Sequence, residues 1–173
     1  DINRVGIYGH SGGGFMSAAA IMTYPDFYKA AVASAGNHDN RVYNKGWVEI
    51  HFGVNEQKTE VKDSLGNTHT EYSYSVSTRP NQDLVKNYKH GLLLVTGLMD
   101  DTVNPSHTFR LADALIKQHK DFEMLTLPTC SHGYSGKSEL FYEHKMWRHF
   151  VKNLLGDESV NDNADLNIYM NKK

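Results

Sequence analysis

The sequence predicts an α/β fold in which helices cover both faces of a mostly parallel sheet. Short apolar segments alternate with segments of helical periodicity, and the connections between them are short. Most of the apolar segments are apolar at successive positions, as strands buried on both faces of a parallel sheet are. This order of strand, helix and strand requires right-handed crossovers, which place the helices over the sheet.

Three elements are predicted before residue 40. Residues 4–9 form an apolar strand that ends in glycine, and residues 14–24 form a helix that stops before Pro25. Residues 29–35, rich in small side chains, form a second buried strand. The strand and helix are separated by a tight, glycine-rich turn.

The middle of the chain is more polar. Residues 41–53 mix aromatic and polar side chains without clean periodicity, so no element is predicted there. Residues 55–80 are rich in threonine and serine, with a turn at 65–67, and are predicted to be an inserted loop or hairpin.

The second half of the chain repeats the alternation. The predicted elements are a strand at 92–96, a helix at 106–118, a strand at 122–127 and a long helix at 138–155. The apolar face predicted for the helix at 106–118 consists of Phe109, Leu111, Ala112, Leu115 and Ile116. Ser138 is predicted to cap the last helix and Gly156 to end it. We therefore expect a folded portion at 1–156 and a polar tail at 157–173.

Composition limits the classes of partner. The chain has 173 residues, enough for one domain with a substantial core, and a net charge of only −2. This charge argues against nucleic acid or an anionic membrane as the partner and favours a neutral or peptide substrate. No apolar run is long enough to span a membrane. Because the chain begins one strand before its strongest motif, we expect it to be part of a longer protein.

That motif is the pentapeptide GHSGG at positions 9–13, a G-x-S-x-G pattern between a predicted strand and a predicted helix. This is the context that a nucleophile elbow requires. Ser11 would occupy a strained turn at a helix N-terminus, and the neighbouring Gly9 and Gly13 would let strand and helix approach, with Gly14 adding room. A glycine-rich turn of this kind can instead bind phosphate. A phosphate loop would need a lysine directly after it, and the next lysine is Lys29.

The acid and the base of a catalytic triad are predicted from later strands. Asp100 and Asp101 both follow the strand at 92–96, where a carboxylate could orient an imidazole. Either carboxylate could take this role, and Asp101 could instead cap the turn or the next helix. His132 lies after the last strand, which gives the order Ser, Asp, His that is typical of this fold.

Most of the other histidines are interpreted as loop or surface residues. They are His38, His51, His69, His90, His107, His119, His144 and His149, whereas His10 is expected to shape the elbow. His144 and His149 are five residues apart and lack a Cys or Glu companion at ligand spacing, so neither a metal nor a cofactor is predicted.

Residues 1–156 resemble the C-terminal half of the catalytic domain of the prolyl oligopeptidase family, especially its dipeptidyl peptidase IV-like branch. The resemblance covers the elbow GHSGGG at 9–14, the strand and acid LVTGLMDDTV at 94–103, the helix at 108–117, and CSHG at 130–133. It implies the C-terminal half of an α/β-hydrolase fold.

The resemblance also implies roles for single residues. Ser11 would attack a peptide carbonyl to give an acyl-enzyme, His132 would relay the proton and Asp100 would orient His132. The backbone N–H of Gly12 would donate to the oxyanion. The family's second oxyanion donor, a tyrosine, and its β-propeller would belong to an upstream part of the protein, so we expect this segment alone to be almost inactive.

The resemblance says less about the substrate pocket. By resemblance, Tyr43 and Trp47 would form the aromatic wall of the pocket for the residue before the cleaved bond, and Val103 would line it. Gly12 and Thr102 depart from residues typical of the dipeptidyl peptidase IV-like branch, so strict cleavage after proline is not implied. The family also suggests a homodimer through the final helix.

The function predicted is therefore a serine peptidase of the dipeptidyl or oligopeptidyl peptidase type, which hydrolyses peptide bonds through an acyl-enzyme. An esterase of the dienelactone hydrolase or acetyl xylan esterase type shares the triad order and remains an alternative. A non-catalytic binding module that retains the fold is a second alternative.

Overall fold

A computed structural model of the chain describes residues 1–159. In chain order the elements are β1 (Val5–His10), α1 (Gly12–Thr23), β2 (Tyr28–Ser34), α2 (Lys45–Phe52), β3 (Asn55–Lys62), β4 (Thr68–Ser75), a 3₁₀ helix (Asn81–Asn87), β5 (Leu92–Gly97), α3 (Ser106–Lys117), β6 (Glu123–Leu127), α4 (Gly136–Phe150) and a π-helical turn (Val151–Leu155). No helix within residues 1–159 is long and apolar enough to cross a membrane.

The central sheet is fully parallel. Its strands lie in the order β1, β2, β5, β6, and every neighbouring pair is parallel. The carboxyl ends of all four strands therefore meet at one edge, where the following loops are brought together. The prediction of an α/β fold with a parallel sheet is confirmed.

Apolar side chains alternate between the two faces of β2 and β5. Ala31 and Leu94 belong to a buried cluster with residues of α1 and α3, while Val32 and Leu93 belong to a second cluster with Met146 of α4. Helices therefore cover both faces, as predicted. This double burial explains why β5 is apolar at nearly every position.

The predicted apolar face of α3 is partly wrong. Phe109 is 44% exposed and Ile116 is 62% exposed. The buried stripe consists of Thr108, Leu111, Ala112 and Leu115, which follow the i, i+3, i+4, i+7 spacing of one helix face. Phe109 and Ile116 each lie one position further along the chain, about 100° around the helix from that stripe.

The predicted start of the last helix is also wrong. The helix begins two residues before Ser138, and the backbone carbonyl of Ser135 accepts the first helical hydrogen bond, from the N–H of Glu139 at 3.4 Å. Regular α-helix ends at Phe150, and the π-helical turn then reaches Gly156, whose left-handed φ of 70° ends it. Most of the polar tail predicted at 157–173 lies outside the described residues.

Contacts divide the chain into two compact units, of which the smaller is Asp39–Pro80. In it, β3 and β4 form an antiparallel hairpin. Its turn is held by Asp63, whose Oδ1 accepts hydrogen bonds from the N–H groups of Leu65 and Asn67, and by Gly66 at a φ of 85°. This is a three-residue turn with a left-handed last residue.

The sequence reasoning missed helix α2 in the same unit. Asn44 caps it, because its Oδ1 accepts a hydrogen bond from the N–H of Trp47 at 3.0 Å. Asparagine before a helical segment is a recognised start signal. The signal was hidden because only Val48 of this helix is buried, so the segment has little apolar periodicity.

Three histidines interpreted as loop or surface residues are buried instead. They are His38, His107 and His149. The ring of His149 bridges two strands, with Nδ1 3.0 Å from Glu123 Oε1 and Nε2 3.0 Å from the carbonyl oxygen of Gly91. Hydrogen bonding to His149 is the main cause that lowers the pKa of Glu123 to about 2.

His38 is buried in a polar cluster at the end of β2. The side-chain amide of Asn81 donates both to His38 Nδ1, at 3.0 Å, and to the carbonyl of Phe15, at 2.9 Å. An Nδ1 that accepts a hydrogen bond belongs to a neutral ring. Burial, followed by the nearby charge of His107, lowers the pKa of His38 to about 3.

The low pKa of His38 predicts that the folded protein loses stability as the pH falls. The folded state keeps His38 neutral down to about pH 3, whereas the unfolded chain binds the proton near pH 6.5. The contribution of His38 to the free energy of unfolding is therefore complete above pH 6.5 and is lost as the pH falls toward 3. In thermal unfolding of the full-length protein, His38→Gln should flatten the decline of Tm over this window. The same change at exposed His90 should leave the decline intact; an identical slope in both variants would contradict the assignment.

Candidate active site

Ser11 lies in a sharp turn between β1 and α1. Its φ is 60° and its ψ is −124°, a backbone conformation that residues other than glycine rarely adopt. The Ser11 N–H donates to the carbonyl oxygen of Ser34, at the end of β2, at 2.8 Å, and its own carbonyl accepts from Phe15 at 3.0 Å. The turn is therefore held to the sheet on one side and to the helix on the other.

The glycines that make this turn feasible are not all those predicted. A Cβ on Gly9 would lie 2.4 Å from the carbonyl oxygen of Gly13, and a Cβ on Gly14 would lie 2.3 Å from the carbonyl oxygen of Ser34. A Cβ on Gly13 would meet nothing within 4 Å. The expectation that Gly13 must lack a side chain is therefore wrong. The turn requires that Gly9 lack a side chain so that the Gly13 backbone can approach it, and that Gly14 lack one so that α1 can approach β2.

Substitution of Gly13 and Gly14, two of the three glycines that begin α1, should separate these effects. Gly14→Ala forces a methyl group against backbone that cannot yield without moving α1, and overpacking of this kind costs about 1–3 kcal/mol of unfolding free energy. Gly13→Ala adds a methyl in open space and improves helix propensity. Thermal unfolding of the full-length protein should show a lowered Tm for Gly14→Ala only. A larger loss for Gly13→Ala would contradict this description of the turn.

Asp100 and His132 form a hydrogen-bonded pair beyond the ends of β5 and β6. Asp100 Oδ2 lies 2.9 Å from His132 Nδ1, and the Asp100 side chain is fully buried while that of His132 is 23% exposed. Asp100 Oδ1 accepts hydrogen bonds from the N–H groups of Thr102, at 3.0 Å, and Val103, at 2.8 Å. Both carboxylate oxygens are thus engaged, which fixes the carboxylate plane.

The neighbouring acid is placed differently. Asp101 is exposed, and its Oδ1 lies 3.3 Å from the hydroxyl of Ser131 and 3.5 Å from that of Thr102. The structure records no hydrogen bond between Asp101 and His132 within the described residues. Of the two candidate acids, only Asp100 is bonded to the imidazole.

The two loops that carry this pair are joined by their backbones. The N–H of Met99 donates to the carbonyl of Cys130 at 2.9 Å. Gly97 lies so close to the second loop that a Cβ there would be 2.4 Å from the same carbonyl oxygen. The position of His132 relative to Asp100 is therefore set by main-chain contacts as well as by the side-chain hydrogen bond.

A second network, which the sequence reasoning did not identify, connects His132 to the elbow. The ring centroids of His10 and His132 are 4.7 Å apart, His10 Nδ1 lies 3.1 Å from the hydroxyl of Ser34, and that hydroxyl lies 2.8 Å from the hydroxyl of Tyr134. His10 was expected to shape the elbow, and its position fits that role. Ser34 and Tyr134 carried no sequence signal, because serine after a strand and tyrosine in a loop are common.

Burial shifts the pKa of two residues in this network. It raises the pKa of Tyr134 to about 12, so the phenol remains a donor at neutral pH. Burial first, and the charge of nearby His132 second, lower the pKa of His10, which favours the neutral form of the His10 ring.

The remaining site predictions are placed as follows. Gly12 is the first residue of α1, where N–H groups have no partner within the helix. Val103 is buried, and its N–H holds Asp100. Tyr43 and Trp47 lie in the Asp39–Pro80 unit, where their ring centroids are 5.4 Å apart. Their role in substrate binding stays a prediction.

Two further observations concern what the described residues lack. The Ser11 hydroxyl makes no hydrogen bond to another residue in the part of the chain that the structure covers; such bonds often tighten only in a substrate complex. Within the same part, no three His, Cys, Asp or Glu side chains are grouped so that they could hold a metal ion.

Comparison with solved structures supports the fold. The crystal structure of Porphyromonas gingivalis dipeptidyl peptidase 4 superposes with a TM-score of 0.71 and 23% identity over 89% of this chain and 20% of that one. The predicted α/β-hydrolase fold is confirmed by this similarity.

The curated proteins to which this chain is similar include peptidases. The chain is 28% identical to human dipeptidyl peptidase 8 over 155 residues, which is 89% of this chain and 16% of that protein. It is 26% identical to human prolyl endopeptidase FAP over 156 residues, which is 88% of this chain and 18% of that protein. The chain thus spans less than a fifth of the length of these relatives. A model of the prolyl oligopeptidase family matches residues 1–158, and the chain therefore belongs to the prolyl oligopeptidase family.

Proposed function

We propose that this chain supplies the catalytic residues of a serine peptidase that releases dipeptides or short oligopeptides. The observation that carries the proposal is the partly buried hydrogen bond between Asp100 and His132. The His132 ring also lies 4.7 Å from that of His10, the residue that precedes the strained Ser11. A serine hydroxyl, an imidazole that can take its proton and a carboxylate that orients the imidazole are the parts that acyl transfer requires.

In the proposed mechanism the Ser11 hydroxyl attacks the carbonyl carbon of the scissile bond, and His132 Nε2 takes its proton. Asp100 bonds Nδ1 of the same ring, which keeps Nε2 free as a base and then stabilises the imidazolium. His132 returns the proton to the leaving amine, and the acyl-enzyme at Ser11 remains. Water then attacks the ester by the reverse sequence, and Ser11 regains its proton.

The oxyanion would be stabilised where α1 begins. The N–H of Gly12 follows the nucleophile directly and lies at the positive end of the helix dipole. A single donor of this type contributes about 3–4 kcal/mol to the transition state. We propose that a second donor and a substrate-binding β-propeller come from the rest of the protein, and that this segment alone is almost inactive.

Substrate recognition is proposed from the family. Tyr43, Trp47 and Val103 are assigned to the pocket for the residue before the cleaved bond. The peptidases to which this chain is similar support a peptide substrate. Homodimers are also proposed, as an expectation from the resemblance stated above.

A substrate panel tests the proposal. The full-length protein should hydrolyse dipeptidyl anilides with Pro or Ala before the bond, and blocking the substrate's amino group should lower kcat/KM if the enzyme is a dipeptidyl peptidase. Short acyl esters serve as the comparison. Efficient hydrolysis of acetylated sugars or lactones with no cleavage of anilides would instead indicate an esterase, and inactivity on both would indicate a binding module.

A further inference from the structure

The hairpin formed by β3 and β4 is exposed along nearly its whole length. Every residue of β4 is exposed, as is every residue of β3 except Val61, which is half-buried. In the described part of the chain no third strand pairs with it. A two-stranded ribbon is marginally stable in water, and a free edge is a template for a further strand.

The turn determines which backbone groups of β3 point to the free edge. The N–H of Asp63 donates to the carbonyl of Asn67, so these residues form a hydrogen-bonded pair. Hydrogen-bonded pairs alternate along an antiparallel ladder, which assigns residues 55, 57, 59 and 61 to bonds with β4. The N–H and C=O groups of the intervening residues, Glu56, Lys58, Glu60 and Lys62, therefore point away from β4.

These four residues alternate in charge. Because they occupy every second position, their side chains also lie on one face of the ribbon. Lys58 Nζ lies 3.1 Å from Glu56 Oε1, whereas Glu60 and Lys62 make no ion pair within residues 1–159. The order Glu, Lys, Glu, Lys becomes Lys, Glu, Lys, Glu when the strand is reversed. An antiparallel copy of β3 therefore presents the opposite charge at each position.

We propose that β3 pairs with β3 of a second copy of this chain around a two-fold axis at Thr59. In this register Glu56 lies opposite Lys62 of the second copy, and Lys58 lies opposite Glu60, all at positions whose backbone groups are free to bond. Such an interface is isologous, and the two ribbons become one four-stranded sheet. Tyr72 and Tyr74, both more than half exposed, flank the charged row on the same face.

The charge pattern specifies this register and opposes its neighbours. A shift of the second strand by two residues sets either Lys58 or Glu60 opposite its own copy. The first shift also brings Glu56 opposite Glu60, and the second brings Lys58 opposite Lys62. Charged side chains on an edge strand often prevent pairing, but that effect relies on like charges meeting. Here the symmetric register contains only opposite charges.

Charge reversal in the full-length protein tests the pairing. Glu56→Lys and Lys62→Glu should each raise the dimer dissociation constant about tenfold or more in sedimentation or light-scattering titrations, because each creates two like-charged pairs. The double variant Glu56→Lys, Lys62→Glu should restore the wild-type constant. Lys117→Glu, at an exposed position of α3, is the control and should leave the dissociation constant unchanged. A wild-type protein that is monomeric, or single variants that dimerise normally, would overturn the proposal.

A cross-link tests the register directly. At the two-fold axis the two Thr59 residues form a non-hydrogen-bonded pair with Cα atoms about 4.5 Å apart, within the range that a disulfide bridges. Under mild oxidation Thr59→Cys should give a covalent dimer on a non-reducing gel, and Ser73→Cys, exposed on β4, should not. Equal cross-linking by both variants, or none by Thr59→Cys, would reject this register.

Discussion

Ser11→Ala in the full-length protein is expected to lower kcat for a dipeptidyl anilide by about 10⁶-fold, because it removes the nucleophile and with it the acyl-enzyme route. KM should change little if Ser11 contributes nothing to ground-state binding. The residual rate should be the part that oxyanion stabilisation and substrate positioning supply without covalent catalysis. Initial-rate kinetics with the purified variant, free of contaminating wild-type enzyme, measure kcat and KM.

Two comparisons make that result specific. Ser64→Ala, in the exposed turn of the hairpin, should keep the wild-type rate. The Ser11→Ala protein should also show the wild-type Tm or a higher one, since Ser11 holds a strained φ of 60°. A Ser11→Ala protein that is folded and cleaves the anilide at the wild-type rate would exclude the proposed nucleophile.

Asp100→Asn should lower kcat by about 10⁴-fold. The amide can donate to His132 Nδ1, which would leave the proton on Nε2, the nitrogen that must act as base. The substitution also removes the negative charge that stabilises the imidazolium. The shape of the side chain is retained, so the backbone bonds to the Asp100 carboxylate from Thr102 and Val103 should survive through the remaining carbonyl oxygen.

Asp101→Asn is the matched control for this substitution. Asp101 is the adjacent residue with the same chemistry, but it is exposed and contacts hydroxyl groups instead of the imidazole. Its kcat should stay within about threefold of wild type, since surface substitutions of this kind have small effects. Equal losses for the two variants would mean that the loop as a whole, and not the Asp100 carboxylate, supports activity.

Local patterns in the sequence were sufficient to predict the central sheet. Strands β2 and β5 are apolar because both of their faces are buried, and this property is visible in the residues themselves. The elbow was also predictable from a local pattern, since the glycines around Ser11 are visible in the sequence. The structure shows that Gly9 must lack a side chain where it meets the Gly13 backbone, and Gly14 where it meets β2.

Other features depend on contacts between distant residues. His38 is bonded to Asn81, 43 residues later, and Tyr134 is bonded to Ser34, a hundred residues earlier. Residue type did not distinguish buried histidines from exposed ones, so His149 was misassigned although it bonds Glu123 and Gly91. The choice of Asp100 over Asp101 likewise rested on the family resemblance, because two adjacent carboxylates cannot be told apart without the position of the imidazole.

The most direct measurement of the central claim is the site and rate of reaction with a fluorophosphonate, which bonds covalently only to an activated serine. Full-length protein should be labelled stoichiometrically, and mass spectrometry should place the adduct on Ser11. His132→Ala should slow labelling by orders of magnitude, whereas His90→Ala should not. Labelling of a different serine, or labelling of Ser11 at an unchanged rate without His132, would contradict the account.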